Sequence, residues 1–134
     1  MTDFDLDTIR ITLHLLAVSV WIGGQIVVAA LVPVLRRLGD DAPRQAANRF
    51  GRVAWPFFGL AVLTGIWNLL EIDVGDRSTE YHVTLAVKLL VVAVTGTAAA
   101  VHSLTGSPAV RGITGALGLA GSIAALVFGV MLVA

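Results

Sequence analysis

The sequence predicts an all-α integral membrane protein, a four-helix up-down bundle with both termini outside. Three observations lead there. The chain of 134 residues is 57% hydrophobic and only 13% charged, and its mean hydropathy is +0.88. A soluble domain of that size needs far more charge to cover its surface. Four long apolar stretches follow one another, at about 9–35, 53–71, 82–104 and 110–133. Each is long enough to cross a hydrocarbon core of about 30 Å, which takes about 20 helical residues. None alternates in the manner of a barrel strand, so each is read as a helix. Lastly, the arginines are unevenly divided among the loops.

The first stretch follows "MTDFDLDTIR". That segment is acidic, and it lacks the basic region and small-residue cleavage site of a signal peptide. The first helix is therefore expected to be a lasting span. The loop after it, "RRLGDDAPRQAANRFGR", carries Arg36, Arg37, Arg44, Arg49 and Arg52 against Asp40 and Asp41. The second stretch ends at Asn68 and Glu71. The next loop, "EIDVGDRSTEYH", is acidic and holds only Arg77 as a cation. The third stretch opens at Tyr81 and His82. Gly106 and Pro108 break the chain before the fourth. The positive-inside rule then puts loops one and three in the cytoplasm, and the expected location is the cell inner membrane. Short connections favour antiparallel neighbours.

Several classes are excluded. With no cysteine, disulfides, thiolate metal sites, covalent haem attachment and iron–sulfur clusters are ruled out. Net charge is zero, and most of the basic residues lie in one loop beside the membrane, so no nucleic-acid footprint is present. There is no nucleotide-binding loop and no Ser-His-Asp set. The expected partner is the lipid bilayer, and a homodimer stays open.

Polar residues inside the spans gather in the outer half. His14 lies one turn past Arg10, about 6 Å deeper at 1.5 Å per residue. Lys88, the only lysine, lies about 9 Å past His82 by the same rise. At 100° per residue, Arg10, His14, Trp21 and Gln25 share one face of the first helix. Phe57, Ala61, Thr64, Asn68 and Glu71 share one on the second. Tyr81, Thr84, Lys88, Thr95, Ala99 and His102 share one on the third. Gly112, Gly115, Gly118 and Gly121 form a winding shallow groove on the fourth. Such stripes suggest a shared interior, since membrane helices meet through small and polar groups.

Each candidate has a plain reading beside the functional one. Lys88 can snorkel to the headgroups, or mark a site, as intramembrane ionisable groups usually do. His14 is either a core histidine bonded to a neighbour or a ligand. Trp21 suits packing as well as a pocket wall. His82 sits at the interface, and His102 at a helix end.

"LHLLAVSVWIGGQIVV" resembles the first span of the copper resistance protein D (CopD) domain family, with His14, Trp21, Gly23 and Gly24 in the family's order. "RFGRVAWPFFGLAVLTGIWN" resembles that family's next span, and "TLAVKLLVVAVTG" its leucine-rich span with one lysine. The resemblance covers most of the chain and implies copper handling in a membrane. A more distant resemblance, through His14, Trp21 and Lys88, is to the HemJ-type protoporphyrinogen oxidases, which implies membrane redox chemistry. The expected site is built around His14 and Lys88, with Arg10, Trp21, Gln25 and Asn68. It takes either haem b or copper. Haem would use His14 as an axial ligand and Arg10 for the propionates. Copper(II) would use His14, His82 and Glu71. The second axial ligand and any enzymatic activity stay open, as does a structural or assembly role without a cofactor.

Overall fold

In a computed structural model, residues 4–134 are described. The first three residues of the acidic leader lie outside them. The elements are α1 (Leu6–Leu38), α2 (Ala42–Leu70), a 3₁₀ turn (Val74–Asp76), α3 (Thr79–Leu104) and α4 (Pro108–Met131). Among the described residues there is no strand. All four helices are long and apolar enough to cross a membrane, so the chain is a multi-pass membrane protein of all-α class. It divides into two compact units, one ending at Asp73 and one running Val74–Ala134. Each is an antiparallel helical hairpin.

Local chemistry sets the helix ends. Asp5 caps α1 by accepting from the Thr8 backbone N–H at 2.9 Å and from the Thr8 hydroxyl at 2.9 Å. These bonds favour the charged form and hold the Asp5 carboxyl below its ordinary value of 3.8. The cap is therefore complete above the ordinary carboxylate range. It is lost as pH falls through the lowered folded value. Ser78 caps α3 through Tyr81 N at 3.1 Å, and Ser107 caps α4 through Val110 N at 3.3 Å.

The largest departure from expectation is the start of α2. The segment "PRQAANRFGR" is helix, not loop, and α2 begins at Ala42 rather than near 53. Hydropathy marks only the lipid-matched part of a helix. Pro43 in the first turn and the alanines and arginines after it are good helix starters and formers. The break is confined to Gly39–Asp41, where Gly39 adopts φ 158° and ψ 153°, a conformation essentially reserved for glycine.

Burial is the reverse of a soluble domain. The buried residues are Ala17, Trp21, Ala54, Ala98 and Gly118, with Arg10, Thr64, Thr95 and Ser122. Leu15, Leu31, Leu63, Leu90, Ile113 and Val127 are among the many large apolar residues left exposed. Small and polar groups at helix contacts, with large apolar ones outward, is how helices pack in lipid. In the α3–α4 hairpin, Thr95 Oγ1 donates to the Gly118 carbonyl. Ser122 Oγ also donates to it, at 2.7 Å. Gly121 lets the helices close here, since a Cβ on it would stand 3.0 Å from Thr95 Oγ1.

Candidate functional site

The α1–α2 hairpin carries a polar seam at the end away from its turn. Arg10 is 8% exposed. Its Nη1 donates to Asn68 Oδ1 across the hairpin, and its Nη2 donates to Asp7 Oδ1 at 2.8 Å within α1. Arg10 Nε is buried and has no hydrogen-bond partner among the described residues. Asp7, whose side chain is 63% exposed, balances the charge from the water side.

One turn along α1, His14 Nδ1 lies 2.8 Å from Thr64 Oγ1. The Thr64 hydroxyl donates to Leu60 O at 2.7 Å. A hydroxyl has one proton, and this one is spent on the main chain. Thr64 therefore accepts, and His14 Nδ1–H donates. That assignment follows from the bonding network. It makes Nε2 the basic nitrogen of the neutral ring, the one that can ligate a metal. Gly65 lies against the imidazole, where a Cβ would make an ordinary contact 3.4 Å from His14 Cε1.

Further along the same face, Trp21 packs on Phe58 and Trp55, with ring centroids 4.6 and 5.4 Å apart. Gln25 Nε2 donates to Trp21 O at 2.9 Å, which turns that amide back onto its own helix. Gly24 allows the closest approach, since a Cβ there would fall within the ring of Phe50. Arg10, His14 and Trp21 of the predicted face thus meet α2, with Asn68 at Arg10.

Other predicted residues are employed differently. His82 is exposed, and its Nε2–H donates to Val74 O at 2.7 Å, tying the 3₁₀ turn to α3. Glu71 Oε1 accepts from Trp67 Nε1 at 3.2 Å. Among the described residues, no three His, Asp or Glu side chains form a group able to hold a metal ion. Of the expected copper donors, His14 and Glu71 belong to the first unit and His82 to the second. Glu71 ends α2, His82 lies in the first turn of α3, and His14 lies within α1 bonded across the hairpin to Thr64. His102 Nδ1–H donates to Arg111 O at 2.8 Å, beside Gly115.

Lys88 packs within its own hairpin. A Cβ on Gly129 would stand 3.2 Å from Lys88 Nζ, and Gly129 lies in the last turn of α4. The ammonium therefore faces the negative end of the α4 dipole, entering a notch that a side chain would fill. Such a contact is worth about 0.3–1 kcal/mol, and up to about 2 when partly buried. Lys88→Met is expected to lower the stability by an amount in that range, read as a lower melting temperature. Gly129→Val, which fills the notch, is expected to do the same. Thermal unfolding of both in detergent checks this. Unchanged melting in Lys88→Met would return the residue to snorkelling.

Asp7, Gly65 and Gly129 belong to these contacts and escape a reading of polar stripes. Asp7 lies on the water side of the first span, and a glycine shows no side chain to mark the face it serves. Thr64 lay on a predicted stripe, but its pairing with His14 depends on how α1 and α2 are registered. No family model, no curated protein and no solved structure matches the chain.

Proposed function

We propose that this multi-pass protein holds a haem-type redox cofactor through His14, in the manner that its likeness to CopD and HemJ spans suggests. The observation that carries this is the His14 Nδ1–H bond to Thr64, which presents Nε2 as the basic nitrogen. Ligating histidines almost always donate their other ring N–H in this way. Haem suits the residues better than copper does. A porphyrin brings four of the iron's ligands itself, so one imidazole is enough from the protein. A copper ion would need a set of donors, and no three His, Asp or Glu side chains lie together among the described residues. Arg10, one turn from His14 with a buried and unpartnered Nε, is a cation suited to a carboxylate. Asn68 and Asp7 hold that guanidinium in place. Trp21 fills the seam deeper along α1, where it excludes water. When bound, haem supplies one-electron transfer.

The second reading is structural. It is favoured by the bonds that Arg10 and His14 already make within the hairpin, which would pin two helices with no cofactor. An absorption spectrum of detergent-purified protein, with metal analysis of the same sample, separates the two. A Soret band with iron supports the haem reading. Copper without a Soret band would favour the CopD-type metal role, and neither would leave the structural one.

The proposed orientation in the cell inner membrane has the α1–α2 turn, with the arginines that flank it on both helices, in the cytoplasm and both termini outside. A cysteine at Ala46 is then expected to resist thiol labelling from outside intact cells, and one at Ser78 to be labelled. The cysteine-free background makes each signal unambiguous. The reverse pattern would place the His14 end of the seam in the cytoplasmic half.

A further inference from the structure

The α3–α4 hairpin has an open groove of about 400 Å³, lined by Ala93, Thr97, Ala98 and Val101 of α3 and by Thr114 and Leu117 of α4 among others. Two of these residues look polar in the sequence, but their hydroxyls do not serve the groove. Thr97 Oγ1 donates to Ala93 O at 2.8 Å, and Thr114 Oγ1 donates to Val110 O at 2.7 Å. Each proton is spent on its own helix, as threonines in apolar surroundings commonly do. The groove thus presents neither a hydroxyl donor nor a charge. A polar ligand would lose its hydrogen bonds to water there without replacement.

The end of the groove toward the α3–α4 turn is different. Arg111 stands one turn before Thr114 on α4 and is exposed. Its Nη2 donates to Thr105 O at 2.9 Å, which fixes the guanidinium beside the turn. Its carbonyl accepts from His102, the residue after Val101. An apolar trough with a cation at its mouth matches a molecule with a hydrocarbon tail and an anionic head. Both helices are long and apolar enough to span a membrane, so the groove opens sideways, where acyl chains lie.

We propose that this groove seats one acyl chain of an anionic phospholipid, with the headgroup phosphate held by Arg111. Arginine suits phosphate because its planar fork donates two parallel hydrogen bonds. The site is separate from the His14 seam and does not depend on the cofactor reading.

The test uses the full chain in phosphatidylcholine nanodiscs containing a minority of phosphatidylglycerol with a photoactivatable diazirine in its acyl chain. Cross-links are mapped by peptide mass spectrometry. They are expected to concentrate on residues 93–101 and 114–117, several-fold above lipid-facing Leu90 and Val127. Ala93→Phe adds bulk on an exposed position and should remove the groove cross-links while leaving the others. Arg111→Gln should lower groove labelling by phosphatidylglycerol several-fold, and leave labelling by the matching phosphatidylcholine probe unchanged. Even labelling along α3 and α4 would overturn the proposal, for the groove would then hold only passing bilayer lipid. So would equal groove labelling by the two probes. A cross-linked second copy of the chain, lost in Ala93→Phe, would overturn it in favour of a subunit interface.

Discussion

His14→Ala is expected to abolish the Soret band, while His102→Ala keeps most of it. The two imidazoles differ in what holds them. His14 gives its Nδ1 proton to Thr64 inside the α1–α2 seam, beside the buried Arg10 guanidinium. His102 donates to a main-chain carbonyl next to the α3–α4 turn, and its job there is to join two helix ends. Thr64→Val sharpens the test. It keeps the shape at a buried position and removes the acceptor for Nδ1–H. Losing such a supporting bond typically weakens binding about 10–100-fold, so this variant should retain partial occupancy and show a shifted spectrum. All three comparisons need equal expression and equal helical content. Equal loss in His14→Ala and His102→Ala would mean that His14 is not the ligand.

Asn68→Leu is expected to destabilise the protein far more than Asp7→Asn. Both residues bond the same guanidinium, and burial decides between them. Asn68 reaches Arg10 across the hairpin, where Arg10 is 8% exposed. Removing a bond to a charged buried group costs about 1.5–3 kcal/mol. Asp7 is 63% exposed on its side chain, and pairs of that kind contribute about 0–1 kcal/mol. Arg10→Met combined with Asn68→Leu should recover part of the loss. The stranded charge is then gone, and an apolar pair replaces a polar one. Unfolding midpoints for the three variants and the parent give the answer. A larger loss in Asp7→Asn would make the aqueous ion pair, not the seam, the anchor of Arg10.

No family model matches the chain, and the likeness to CopD and HemJ spans that the proposal draws on is carried only by short motifs around His14, Trp21 and Lys88. The structural findings bear on the donors themselves. His14 gives its ring N–H to a side-chain hydroxyl beside Arg10, His82 and His102 give theirs to main-chain carbonyls, and no three His, Asp or Glu side chains gather among the described residues. That is why the proposal moves from a choice of two cofactors to haem.

The helical spans were legible in the sequence because lipid imposes a length and a composition on any segment that crosses it. The polar face of α1 was legible for a similar reason. Arg10, His14, Trp21 and Gln25 recur at the helical period, and that period belongs to one helix alone. The start of α2 was not legible from hydropathy, because "PRQAANRFGR" is helical without being apolar.

The sequence by itself determined element type, number and the direction in which each polar stripe points. Only the tertiary structure decided what each polar side chain meets. His14 meets Thr64 and Gly65, Arg10 meets Asn68, Thr95 meets Ser122 and Gly121, and Lys88 meets Gly129. In each case the register of two antiparallel helices chose the partner. Register depends on where the helices can approach, most closely at Gly24 and Gly121. Close approach is a property of two surfaces fitted together. Neither helix carries it in its own periodicity.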